Sequence, residues 1–117
     1  MVMPFKSTHR YARISARKVR PMADLIRGKF ADDALDVLRF QPQRGARMLE
    51  KVLKSALGNA QDPGQNPGRG VNVEKLVVSD VRVDEGPMFK RVRPRARGMA
   101  FLIRKRSSHI RVTLEAL

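Results

Sequence analysis

Apolar residues repeat with the period of a helix through the first half of the chain and with the period of a strand near its end, which predicts an α+β fold. Val19, Met22, Ala23 and Ile26 form one stripe, and Arg17, Lys18, Arg20 and Arg27 lie mostly off it. A first helix is therefore expected from Ala16, N-capped by the Ser15 hydroxyl and stopped by Gly28. Pro21 lies inside it and removes a backbone donor, so a kink or a tight first turn is expected there. A short second helix is expected from about Ala31 to Arg39, on the apolar positions Ala34, Leu35, Val37 and Leu38. Its acidic residues Asp32, Asp33 and Asp36 lie favourably near its positive amino end. Leu49, Val52, Leu53, Ala56, Leu57 and Ala60 follow the helical rule without a gap, which predicts a third helix from Gln43 to about Ala60 as the spine of the core.

The run from Gln61 to Gly70, QDPGQNPGRG, carries two Pro-Gly pairs and an Asn-Pro and reads as a loop with turns. Beyond it Val71, Val73, Leu76, Val77, Val78, Val81 and Val83 read as strand. Ile110, Val112 and Leu114 alternate with Arg111, Thr113 and Glu115 as a half-buried strand, and the two are expected to pair antiparallel. The connection between them, from Asp84 to about Ala100, is far longer than a tight turn, and long irregular connections in compact domains are usually functional or disordered. It reads as an extended, projecting hairpin. The expected architecture is thus three helices packed on a small antiparallel sheet with a long protruding β-hairpin, over 117 residues that read as a single domain with the hairpin at 84–100.

Charge changes the picture most. Lys and Arg outnumber Asp and Glu by 25 to 11, a formal charge of +14. Between Gly86 and Arg111 lie Lys90, Arg91, Arg93, Arg95, Arg97, Arg104, Lys105, Arg106 and Arg111, with no Asp or Glu among them. Like charges packed within a Debye length of roughly 8 Å repel, so such a segment is held in one conformation only by an external polyanion, and in the free protein it is expected to be mobile. A run of one sign interrupted by Pro, Gly, Met88, Phe89 and Val92 is not a solvated helix face. Nucleic acid is the polyanion this footprint fits. RNA is favoured over DNA, because guanidinium groups fork onto phosphates and stack on the splayed bases of folded RNA. With aromatics at only 5% of the chain and no RNP-type aromatic strand or GXXG loop, shape and backbone are expected to dominate recognition. A second basic cluster, Lys6, His9, Arg10, Arg13, Arg17, Lys18 and Arg20, surrounds the start of the first helix and is expected to add contacts.

Other chemistries find little support. The chain has no cysteine, which excludes disulfides, thiol nucleophiles and iron–sulfur ligation and fits a reducing cytosol. No signal peptide is read at the amino terminus, and nowhere do about 18 apolar residues follow one another. His9 and His109 belong to no metal spacing and to no acid–base pair. Asp84 and Glu85 are adjacent and would point to opposite faces of a strand. GQNPGRG lacks the Lys-Ser/Thr of a P-loop. No enzyme, cofactor or metal site is therefore expected. A DNA-binding helix-turn-helix before Gly45 would need an exposed base-reading helix, yet the third helix is mostly apolar and the cations concentrate on the hairpin.

Three runs, SARKVRPMADLIRGK with ALDVL after it, VDEGPMFKRVRPRARGMA, and IRKRSSHIRVTL, resemble the bacterial large-subunit ribosomal protein L twenty-two family across essentially the whole chain. The resemblance implies a cytoplasmic, non-catalytic protein of the large ribosomal subunit that binds and organises its 23S rRNA during assembly, beside neighbouring large-subunit proteins. It implies that the hairpin lines the nascent-peptide exit tunnel, with a tunnel-facing tip formed by Met88, Phe89, Lys90, Arg91, Val92 and Arg93 that meets the nascent polypeptide. It further implies rRNA contacts through Lys90, Arg91, Arg93, Arg95 and Arg97, and through Ser108 and His109 as a carboxy-terminal rRNA-contacting signature; the charge pattern itself adds His9, Arg10, Arg13, Arg17, Lys18, Arg20, Arg104, Lys105 and Arg106 as expected rRNA contacts. Met99, where the family commonly has a basic residue, Ser107, where it commonly has threonine, and Pro21 depart from the pattern.

Overall fold

The computed structural model describes residues 5–61, 75–94 and 96–116; the side chains of Ala96 and Ala116 are not described. The loop read beyond Gln61, the strand positions Val71 and Val73, and Arg95 lie outside the described residues. The order of elements is β1 (Phe5–Ala12), α1 (Ala16–Ile26), α2 (Ala31–Arg39), α3 (Arg44–Gln61), β2 (Leu76–Glu85), β3 (Phe89–Pro94), β4 (Ala100–Lys105) and β5 (Ser108–Ala116). Three helices and antiparallel sheets make an α+β fold, as the periodicities predict.

Each helix forms where its stripe lies and packs that stripe on the core, with Leu35 and Val37 of α2 only half-buried. Val19, Met22, Ala23 and Ile26 of α1 are buried, as are Ala31, Ala34 and Leu38 of α2 and Leu49, Val52, Leu53, Ala56, Leu57 and Ala60 of α3. Ser15 stands at the N-cap of α1, but its hydroxyl makes no capping bond, contrary to expectation. Helix α1 runs unbroken past Pro21, whose exposed position leaves the ring outside the packed face. The helix ends at Arg27, whose ψ of 127° is already extended, and Gly28, with a left-handed φ of +84°, completes the turn that follows; its N–H donates to the Val78 carbonyl at 2.9 Å, seating that turn against β2.

A three-stranded sheet of order β1-β5-β2 carries the helices on one face. On that face Leu76, Val78, Val81 and Val83 of β2 and Ile110, Val112 and Leu114 of β5 are buried. Val78 and Val81 are three apart, a spacing that would place them on opposite sides of a regular strand. A bulge between Val78 and Asp80 absorbs the extra residue and returns both valines to the core. Strand β1, absent from the sequence reading, pairs with β5 from Phe5↔Leu114 to Ala12↔Ser108, with its own irregularity after His9 where Tyr11 has φ 58°.

The second sheet has two strands, β3 and β4, paired from Phe89↔Lys105 to Pro94↔Ala100. Among the described residues of these strands, no side chain is buried, and only Ile103 is half-buried. This arm stretches the molecule to 67 × 27 × 18 Å. Its radius of gyration is 17.5 Å, against about 13 Å for a compact chain of this length. Asp84 and Glu85, read as the start of the hairpin, instead end β2 opposite His109 and Ser108, and the returning strand of the arm runs five residues past Ala100 to Lys105.

Candidate nucleic-acid interface

Alternation along an antiparallel ribbon fixes which arm side chains share a face, because directly paired residues point the same way. Lys90 lies opposite Arg104, Val92 opposite Leu102 and Pro94 opposite Ala100 on one face. Phe89 opposite Lys105, Arg91 opposite Ile103 and Arg93 opposite Phe101 make the other. The Arg91 guanidinium sits 5.7 Å from the Phe89 ring centroid, a cation–π contact that confirms these two as same-face neighbours. Lys90 and Arg104 are like charges placed directly across the ladder, which is unfavourable unless an anion lies between or over them.

At the far end the chain turns through Ala96–Gly98, where Arg97 takes φ 64° and is exposed. The residues expected to form the tip are therefore distributed differently. Met88 stands at the root of the arm, Phe89 to Arg93 run along its first strand, and the distal turn belongs to Arg97 and its neighbours.

Charge pairing separates this arm from the body. The ion pairs among the described residues join Arg27 to Asp24, Arg39 to Asp36 and Glu50, Arg47 and Lys54 to Glu50, and Arg82 to Asp80. None of them involves Lys90, Arg91, Arg93, Arg97, Arg104, Lys105 or Arg106, all of which are exposed. The open face of the three-stranded sheet differs again: its shallow depression mixes Lys6, Arg82 and Arg111 with Asp80 and Glu115, a surface of mixed sign.

The cluster around α1 divides by role. His9 and Arg10 on β1, Arg13 in the connection, and Arg17 and Lys18 on α1 are exposed. Arg20 is partly committed to the fold: its Nε and Nη2 donate to the Val83 carbonyl at 3.3 and 3.2 Å. Arg17 and Arg106 line one small cleft with Ser15, Glu85, Gly86, Met88 and Ser107, so the start of α1 meets the root of the arm and the two basic clusters join there.

Ser108 and His109, implied as rRNA contacts by the resemblance, have structural partners or burial in this arrangement. Ser108 is fully buried, and its Oγ has no hydrogen-bond partner among the described residues, so its side chain is not part of the exposed surface. His109 Nδ1 accepts the Tyr11 N–H at 3.1 Å, and the two rings meet edge to face with centroids 4.9 Å apart. That bond assigns the proton of a neutral His109 to Nε2. The joint is closed by the Gly86 N–H donating to the Ser107 carbonyl at 2.9 Å and the Ser107 hydroxyl donating to the Pro87 carbonyl at 2.7 Å.

Sequence reasoning overlooked Phe101 and Leu102, which are 48% and 52% exposed on the returning strand. The signal was present: AFLIRK matches FKRVRP in length, as the two sides of a ribbon must. Among the described residues no group of three or more His, Cys, Asp or Glu could hold a metal ion, and no helix is long and apolar enough to cross a membrane.

Comparison with known proteins gives this surface its context. Residues 7–115 match the family described as Ribosomal protein L22p/L17e. The chain is 72% identical over 110 residues to the large ribosomal subunit protein uL22 of Rhodopirellula baltica, covering 94% of this chain and 92% of that one. It is 53% identical to the protein of the same name from Caldicellulosiruptor saccharolyticus, covering 93% of this chain and 85% of the relative. It is 50% identical to that from Maridesulfovibrio salexigens, covering 98% and 100%. With a fold, a basic arm and a match that spans nearly every residue, the chain belongs to the Ribosomal protein L22p/L17e family, whose members are structural rather than catalytic.

Proposed function

We propose that this protein is a structural constituent of the large ribosomal subunit that binds and organises 23S rRNA during assembly, acting as one rRNA-binding unit whose arm lines the nascent-peptide exit tunnel. One observation carries the reading: the arm exposes its cations on a ribbon that contains no Asp or Glu to neutralise them. A surface built that way is electrostatically incomplete until phosphates meet it. The exposed Arg10, Arg13, Arg17 and Lys18 extend it onto the body, and the cleft shared by Arg17 and Arg106 makes the extension continuous. The length of the arm supports a role in reaching past the surface on which the body sits, between rRNA segments, toward the nascent chain and beside neighbouring large-subunit proteins.

The test is binding of the full chain to large-subunit rRNA over a salt series, with duplex DNA as competitor, for wild type and for a variant carrying Ala at Lys90, Arg91, Arg93, Arg95 and Arg97. Wild type is expected to prefer rRNA at physiological salt. The variant is expected to show a log–log salt slope shallower by roughly three to four, because each phosphate left without its cation takes about 0.7 off the slope. Equal competition by DNA with an unchanged slope would sink the proposal. A photo-crosslinking residue at Val92 in assembled ribosomes tests the tunnel placement by its capture of nascent chain.

A further inference from the structure

The two faces of the arm differ chemically, and we infer that the face bearing Phe89 and Phe101 binds unpaired RNA bases by stacking, in addition to holding phosphates. This deepens the rRNA-binding reading and rests on it. Phe89 and Phe101 are 56% and 48% exposed on the same face, at opposite ends of the paired region. Phe101 pairs with Arg93, four positions along β3 from Phe89, so the rings lie about 13 Å apart along the ribbon at ~3.3 Å per residue. At that separation they form two platforms, each taking its own base.

Each apolar side chain on this face has a cation directly across the ladder: Phe89 faces Lys105, Ile103 faces Arg91 and Phe101 faces Arg93. A stacked base would therefore have a guanidinium or ammonium beside it for its phosphate. This is the combination of aromatic platform and basic groove that holds single-stranded nucleic acid. Arg91 already lies over the Phe89 ring, and a base arriving on the other side of that ring would extend the stack, with the ring between guanidinium and base. A protein partner fits the face poorly. The centres of protein interfaces are depleted in charge, whereas here cations alternate with apolar groups one for one and no carboxylate is present. The opposite face, with Val92 and Leu102 at its centre and no aromatic ring, offers no such platform.

The test compares the full-chain wild type with Phe89→Leu/Phe101→Leu, Phe89→Tyr/Phe101→Tyr and the five-cation alanine variant, using large-subunit rRNA and inorganic polyphosphate as probes. Leucine keeps the apolar area and removes the π-face; tyrosine keeps the face. The leucine pair is expected to lose about tenfold in rRNA affinity per ring with the salt slope unchanged. It is expected to bind polyphosphate, which has no bases, as wild type does, and the tyrosine pair to bind rRNA as wild type does. If the leucine pair binds rRNA like wild type while the cation variant still flattens the slope, the arm contacts phosphate alone and the stacking inference falls, with the rRNA reading intact. If the leucine pair loses polyphosphate binding to the same degree, the rings shape the arm rather than stack on bases, and the inference falls as well. If the cation variant too is indistinguishable from wild type on rRNA, the rRNA reading falls with it.

Discussion

Gly86 stands where β2 hands over to the arm, and its missing side chain is used. A methyl group built there would lie 2.6 Å from Ser107 Oγ and 3.3 Å from His109 Nε2. The Ser107 hydroxyl cannot simply turn away, because it donates to the Pro87 carbonyl at 2.7 Å and that bond fastens the two sides of the joint. Gly86→Ala is therefore expected to cost about 1–2 kcal/mol by displacing a partly buried hydrogen bond. Ser107→Ala removes the same bond and also the obstructing atom. The double variant should then cost clearly less than the sum of the singles, since both act on one contact. Urea unfolding of the full chain measures all three, and strictly additive losses would show that the joint is not built around this pair.

At the scale of elements, α2 and α3 are joined by a charge cluster that hydrophobic patterning does not reveal. Arg47 Nη2 donates to the carbonyls of Leu38 and Arg39 at 2.9 Å each and also to that of Gln41, so it satisfies the end of α2 from the first turns of α3. Its Nη1 holds Glu50 at 2.8 Å, and Lys54 and Arg39 approach the same carboxylate at 3.3 and 3.7 Å. Burial opposes ionisation of Glu50, but the hydrogen bond and charge of Lys54 and the charges of Arg47 and Arg39 outweigh it and hold the pKa below the ordinary 4.5. A carboxyl with a depressed folded-state pKa adds stability above its unfolded value and loses it as the pH falls through the folded one. Glu50→Gln is expected to lower stability at neutral pH by about 1–3 kcal/mol. The gap to wild type should close progressively below pH 4.5, and melting curves that run parallel down to the lowest pH would exclude this role. The helices were legible because each carries a continuous apolar stripe, with α2 falling where its stripe and acidic first turn put it. Strand β1 was not, since only Phe5 and Ala12 are buried and the irregularity after His9 breaks the alternation between them. Arg20 reads as part of the basic cluster around the first helix and Ser108 as an rRNA contact implied by the resemblance, and only the tertiary structure shows one reaching for Val83 and the other inside the core.

The whole molecule is a packed body with a ribbon that buries nothing among its described side chains, and these two parts should differ in stability as much as they differ in packing. The body holds a continuous cluster from Phe5 to Leu114, with Leu38, Leu49, Leu53, Leu76 and Ile110 wholly removed from solvent. Among the described residues no helix and no second sheet backs the ladder of β3 and β4, and an isolated two-stranded ribbon is marginal in water. Its like charges oppose it further, most directly at Lys90 and Arg104. Amide exchange in the free protein is accordingly expected to be slow in β2, β5 and α3 and near the rate of an unfolded chain in β3 and β4. Phosphate neutralisation reverses the sign of the electrostatic contribution, so adding large-subunit rRNA should protect the arm while leaving the body unchanged. Slow exchange of arm amides without RNA would mean that the ribbon is held by contacts within the chain, and the polyanion would then be a ligand of a finished structure rather than the partner that orders it.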